Sequence, residues 1–263
     1  MWRVITKCQK CGRRFFSIKK FKTLTYADQE LLVCPSCIKE KEKEFSLNNL
    51  NIGKKDKILL IEKIHNLKYY DNLAKNKEII LEPYYLQYIS QVSNEVMAIS
   101  FELSKFLFVI CEIFKPKSIL DLGSGFSSFV FRYYMLNSSS KPKICTVDDS
   151  AIWLEKTREF LNNQHLPTDN LTTWDSFHKK NINTFDLILH DLDGMELRKE
   201  ILEEVLRLAN PNGIIILDDV HFYDYSEYAR KVLSKKNYNN YSLYYFTKDK
   251  FGRFSWLITK TIK

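Results

Sequence analysis

From residue 117 onward, short apolar runs alternate with amphipathic segments, and this alternation restricts the chain to few folds. The spacing predicts strands over 118–121, 143–147, 185–190 and 213–217, and helices over 126–136, 150–162, 195–209 and 224–235. Strand and helix in strict alternation give a parallel sheet covered by helices on both faces. The end of the chain breaks the pattern. "YSLYYFTKDKFGRFSWLITKTI" (241–262) reads as two β-rich runs around a Lys/Asp/Gly turn, hence an antiparallel hairpin. Upstream, Val96, Ile99, Leu103, Phe106, Leu107 and Ile110 recur at helical spacing, predicting a helix over 94–116 that Pro116 ends. Residues 58–73 put Ile58, Ile61, Ile64 and Leu67 near the same spacing, and "EPYYLQYISQVS" (82–93) reads as aromatic and irregular.

The first predicted strand runs into "ILDLGSGFSS" (119–128). A G-x-G turn after a buried strand lets the backbone approach a ligand at a helix N-terminus. A pyrophosphate site would carry a third glycine, and Ser128 stands there instead. Asp121 precedes the turn by two residues, and an acid at that mouth repels phosphate and attracts a cation. The pattern therefore points away from dinucleotides and toward a cationic, phosphate-free ligand.

Residues 1–45 are a different kind of segment. Cys8-x-x-Cys11 and Cys34-x-x-Cys37 form two C-x2-C pairs separated by 22 residues. Two such knuckles complete a tetrahedron of thiolates around Zn2+, a closed and hence structural site. The segment carries eleven Lys/Arg against five Asp/Glu, net +6 of the chain's +8. Phe15, Phe16 and Phe21 interleave with this charge, as suits either RNA binding or docking on the rest of the chain. Residues 46–93 read as a helical linker or cap, and 94–263 as the main domain. Cys111 and Cys145 sit in apolar context as core residues. The N-terminus lacks an apolar h-region and the longest apolar run, "FLFVICEIF", contains Glu112; the expectation is a cytoplasmic protein without membrane association.

With these motifs in view, residues 95–263 resemble the class I S-adenosylmethionine (SAM)-dependent methyltransferases. "ILDLGSG" is similar to their first motif, "TVDDS" to the acidic end of the second strand, "TTWDSF" to the third motif, "FDLILHDLDG" to the fourth and "PNGIIILDDVH" to the fifth. The resemblance implies an α/β fold: a seven-stranded, mostly parallel Rossmann-like sheet with a C-terminal antiparallel hairpin, here preceded by a small zinc-binding module. It implies SAM as cofactor, with Asp121, Gly123, Gly125 and Ser127 along its methionine and ribose, Asp148 and Asp149 at the ribose, and Trp153 and Asp175 near adenine. Trp174 is a further adenine candidate, and Glu95 and Ser100 are candidates to reach the site from upstream.

Acceptor chemistry should lie at the carboxyl ends of the fourth and fifth predicted strands, where His190, Asp191, Asp193, Asp218, Asp219 and His221 cluster in sequence. The Asn/Asp-Pro-Pro-Tyr/Phe signature of amino-methylating DNA enzymes is absent. Asp191 with Asp218-Asp219 is similar to the carboxylate set of catechol-type O-methyltransferases, which implies a place for Mg2+, although the family pattern ends in Asp-Asn. His221 is the other candidate base. The expected activity is O-methylation of a small molecule or saccharide, with Asp191, Asp218, Asp219 and His221 activating the acceptor. Two alternatives stand beside it: an RNA methyltransferase that grips RNA with the basic module, and a non-catalytic adapter that retains the SAM fold.

Overall fold

A computed structural model describes residues 70–179, 183–192 and 194–261, together with the backbone of residues 67–69 and of four strands before residue 33. Those strands form two antiparallel pairs. β1 (Val4–Lys7) pairs with β2 (Arg14–Ser17), and β3 (Thr23–Tyr26) with β4 (Gln29–Leu32). Cys8, Cys11, Cys34 and Cys37 lie outside the described residues, as does the zinc expectation that rests on them.

The main body begins with two helices, α1 (Leu67–Gln91) and α2 (Phe101–Phe114). Then come β5 (Ser118–Leu122), α3 (Phe126–Asn137), β6 (Lys143–Asp148), α4 (Ala151–Asn163), β7 (Leu171–Thr173), α5 (Trp174–His178) and β8 (Phe185–His190). The chain ends with α6 (Met195–Leu208), β9 (Ala209–Leu217), α7 (Tyr223–Lys235), β10 (Tyr238–Ser242), α8 (Tyr244–Thr247) and β11 (Trp256–Lys260). The seven strands lie in the order β10-β11-β9-β8-β5-β6-β7. β5 to β9 are parallel, and β11 runs antiparallel to both β9 and β10.

Each central strand is buried on both faces, and alternate side chains serve two cores. Ile119, Leu187, Leu189, Ile214 and Ile216 join α1 to α4 on one side. Leu120, Leu122, Ile188, Ile215 and Leu217 join α6 and α7 on the other. β5 pairs with β6 on one edge and β8 on the other, so the strand order reverses there. The crevice at such a switch point, at the carboxyl ends of the strands, is where an open α/β sheet takes its ligand.

Three elements differ from the sequence expectations. Residues 82–91 are helical rather than irregular, and α1 runs through Pro83. An interior proline costs about 3 kcal/mol. The helix offsets this by burying Leu81, Tyr85 and Tyr88, each contributing about 2 kcal/mol of apolar burial. Tyr88 meets Phe160 edge-on at 5.0 Å, and Tyr85 meets Phe126 at 5.1 Å. The next helix starts at Phe101, not at 94. The Asn94 side chain accepts from the amides of Val96 and Met97 (both 3.0 Å), and Ser100 caps the Leu103 amide (3.0 Å). Arg253 holds the intervening turn by donating to the carbonyls of Glu95, Val96 and Ala98. The C-terminal hairpin is present, but its connection contains the short helix α8. Among the described residues no helix is long and apolar enough to cross a membrane.

Candidate active site

Asp121 is the penultimate residue of β5 and is fully buried. Its Oδ2 accepts from the hydroxyls of Ser128 (2.6 Å) and Thr146 (3.0 Å). Arg132, itself buried on α3, donates to Thr146 Oγ1 (2.8 Å), the Ser128 carbonyl (3.4 Å) and the Asp169 carbonyl (3.0 Å). The arginine thus orients the Thr146 hydroxyl that bonds the carboxylate and holds the backbone of Ser128, whose hydroxyl makes the other bond. Asp121 Oδ1 is buried with no hydrogen-bond partner among the described residues. Burial pushes the Asp121 pKa up to about 6, against the pull of the nearby Ser128, Ser127 and Thr146 hydroxyls and the charge of Arg132. A buried carboxylate oxygen without a donor is a defect in an apo protein and a receptor for an ammonium group. The chemistry of this donor set fits SAM, whose amino-acid ammonium needs such an acceptor.

The glycine turn is locked between the neighbouring strands. Gly123 donates to the Val147 carbonyl (2.8 Å), and the Asp191 amide donates to the Leu122 carbonyl (2.8 Å). Gly123 has φ +102, and a Cβ there would stand 2.3 Å from the Asp191 carbonyl oxygen. At Gly125 a Cβ would meet the Tyr88 hydroxyl at 2.8 Å. Tyr88 therefore brings α1 to the turn, a contribution invisible in the motif.

Asp148 ends β6 and binds the turn from the other side. Its Oδ2 accepts the Ser124 amide (2.6 Å) and its Oδ1 the Ser150 amide (2.9 Å). Ser127 donates to the Gly123 carbonyl (3.3 Å), and Ser128, not Ser127, makes the short bond to Asp121. Asp149 is exposed, one residue past Asp148. Trp153 is half-buried on α4 with the Lys156 ammonium 4.3 Å over its ring. Asp175 is exposed at the first turn of α5, and Trp174 packs beside Phe177.

Across the crevice, Asp191, Asp218 and Asp219 bring one carboxylate oxygen each within 4.8 Å of the others. Asp219 holds φ +56, a left-handed backbone that Asp tolerates, at the tip of the loop after β9. Ser255 donates to Asp218 Oδ1 (2.6 Å). Burial, then the neighbouring Asp219, pushes the Asp218 pKa up to about 6. Burial likewise raises that of Asp191, against the opposing charge of Arg198. Arg198 of α6 stands among these acids, with Nη2 2.7 Å from Asp191 Oδ1 and Nη1 3.2 Å from Asp219 Oδ2. Carboxylate spacing suits a hard cation, but a guanidinium already takes one oxygen from two of the three ligands. The residues as they stand do not fit Mg2+. His221 Nδ1 lies 3.5 Å from Asp219 Oδ1. His190 is fully buried, donates from Nε2 to the Arg198 carbonyl (3.1 Å), and is held neutral by burial at a pKa of about 3. Through that bond it supports α6. Asp193 lies outside the described residues.

Glu95 pairs with Lys250 (2.7 Å), and Ser100 caps α2 and reaches the Thr247 carbonyl. Arg132, Arg198 and Tyr88 are the residues that sequence reasoning missed. A signal existed for Arg198, since it falls on the buried stripe Arg198, Ile201, Leu202, Val205.

The parallel sheet with its antiparallel end and a glycine turn opposite an acidic cluster define a Rossmann-like methyltransferase fold. The chain belongs to the methyltransferase-domain family, which matches residues 113–255, more than half its length. It is a SAM-dependent methyltransferase. No curated protein matches it in sequence. Among solved structures, a Podospora anserina methyltransferase bound to SAH is 16% identical with a TM-score of 0.55, covering 69% of this chain and 88% of that one. A Bacillus cereus O-methyltransferase in complex with SAH is 18% identical with a TM-score of 0.50, covering 69% and 88%. At these identities the likeness is one of fold.

Proposed function

We propose that the chain transfers the methyl group of SAM to a hydroxyl of a small molecule or saccharide. One observation carries the reading: Asp191, Asp218 and Asp219 converge on one another, and the backbone of Asp191 abuts the Gly123 turn, so the acids stand next to the expected cofactor site. SAM supplies an electrophilic methyl group on its sulfonium. On this reading Asp121 takes its ammonium, and the backbone of Gly123 and Gly125 lies along its methionine and ribose. Asp148 keeps its two amide bonds and offers further lone pairs to the ribose, with Asp149, Trp153 and Asp175 on the nucleoside side. Asp218, partly protonated near neutral pH, has the basicity to take the acceptor's proton. Asp191, Asp219 and His221 orient the acceptor around it. The solved O-methyltransferase of like fold supports the choice of oxygen. No proton transfer is assigned to Mg2+.

The test is methyl transfer from labelled SAM to a panel of hydroxylated small molecules and saccharides. Wild type should label one class, and Asp218→Asn should lose about 100-fold in kcat with SAM affinity unchanged. Equal turnover by the variant removes Asp218 from the chemistry. Label appearing in RNA instead would transfer the reading to the RNA alternative, which draws on the +6 charge of residues 1–45. SAM binding with no transfer to any of these would favour the adapter.

The four cysteines are proposed to hold one structural Zn2+. Cys8 and Cys11 fall in sequence between the paired strands β1 and β2, and Cys34 and Cys37 follow β4. The purified full chain should carry one zinc, lost in Cys34→Ser. A metal-free chain that is otherwise folded would contradict the assignment.

A further inference from the structure

Arg198 is a charged residue on the inner face of an amphipathic helix, with only 6% of its surface exposed. A guanidinium buried so deeply is tolerated only when its donors are met. They are met by the loop after β8. Nε donates to the Leu192 carbonyl (3.1 Å), and Nη2 to the Asp191 carbonyl (3.3 Å) and Asp191 Oδ1 (2.7 Å). Nη1 donates to Asp219 Oδ2 (3.2 Å) in the loop after β9. The helix is pinned as well, because His190 Nε2 bonds the Arg198 carbonyl. Burial opposes the charge of Arg198, but Asp191, Asp219 and Asp218 together outweigh it and raise its pKa above the ordinary value.

A divalent ion bridging these acids would need their oxygens at roughly 2.0–2.6 Å. It would stand against a guanidinium held by the same two carboxylates, and like charges at that distance repel. Asp218 is engaged differently, by the Ser255 hydroxyl.

We propose that Arg198 is the resident cation of the acceptor site, standing where a divalent ion would otherwise bridge Asp191, Asp218 and Asp219, so that the site works without metal. This rests on the methyltransferase reading of the crevice for the word acceptor, but the geometry and its test do not. Arg198 is a positioning residue. It holds the carboxylates of Asp191 and Asp219 in place through its two terminal nitrogens, while Asp218 is held separately by Ser255.

The test is Mn2+ binding to the full chain, read by the loss of the free-ion electron paramagnetic resonance signal. Mn2+ prefers carboxylates and competes poorly for four thiolates, so the cysteine segment does not interfere. Wild type and Arg198→Lys, which keeps the charge, should bind Mn2+ no tighter than about 1 mM. Arg198→Met should gain a site at least about tenfold tighter, abolished by adding Asp218→Asn. Two results would overturn the proposal. One is a Mn2+ site in wild type that Asp218→Asn removes; the other is a folded Arg198→Met that binds no better than wild type. If Arg198→Met does not fold, the comparison of wild type with Asp218→Asn decides alone. Because no turnover is read, failure here is distinct from failure of the SAM titration below.

Discussion

Replacing Asp121 with Asn is expected to weaken SAM binding by about 100-fold, since losing a hydrogen-bonded buried charge pair costs about 3 kcal/mol. The fold should survive. The Asn carbonyl can take the place of Oδ2 and accept from Ser128 and Thr146, which donate at 2.6 and 3.0 Å. The amide nitrogen then falls where Oδ1 has no partner, and it presents donors to a cofactor that brings donors of its own. The same charge makes binding depend on pH. Asp121 is raised from 3.8 to about 6 by burial. Its contribution to the stability of the ligand-free chain is therefore present in full below about pH 4 and is lost as pH rises through about 6, roughly 3 kcal/mol in all. SAM has the opposite preference, because its ammonium selects the ionised form. Wild type should bind SAM about tenfold more weakly at pH 5 than at pH 7, and Asp121→Asn should show no such slope. Melting at pH 7 should find the ligand-free variant no less stable than wild type.

Gly123→Ala is expected to be the most disruptive single methyl group in the molecule's crevice. Its φ of +102 is one that side-chain-bearing residues rarely adopt, and the new Cβ would press to 2.3 Å on the Asp191 carbonyl oxygen. That atom is backbone, and the adjacent Asp191 amide is tied to Leu122 across the sheet, so it cannot swing away. Relief requires β5 and β8 to part at their carboxyl ends. We expect a loss of about 3–5 kcal/mol, or about 10–15 °C in Tm, with SAM binding lost as well. Gly194→Ala is the control. It has φ −61 and nothing within 4 Å of an added Cβ, so it should melt within about 2 °C of wild type. A Gly123→Ala chain that melts with wild type would show that the turn is not held as described.

The difference between these two glycines marks what a sequence can convey. The spacing of Asp121, Gly123 and Gly125 was readable because local backbone geometry imposes it. The strands 118–121, 143–147 and 185–190 were readable because buried parallel strands are continuous apolar runs. Residues whose meaning depends on a distant partner were not. Arg132 and Arg198 each read as one basic position on a helix, and only packing brings them to Thr146, Asp191 and Asp219. Tyr88 belongs to a segment that Pro83 made look irregular, yet its hydroxyl reaches the turn from 37 residues upstream of Gly125. The Mg2+ expectation followed from three acids in sequence and could not include the guanidinium among them.

The central claim is that "DLGSG" holds a cationic, phosphate-free cofactor through Asp121. Calorimetric titration of SAM and of NAD+ into wild type and Asp121→Asn tests it most directly. One SAM should bind per wild-type chain, about 100-fold more weakly in the variant, with no heat from NAD+ for either. NAD+ binding as tightly as SAM, or SAM binding indifferent to the loss of the carboxylate, would contradict it.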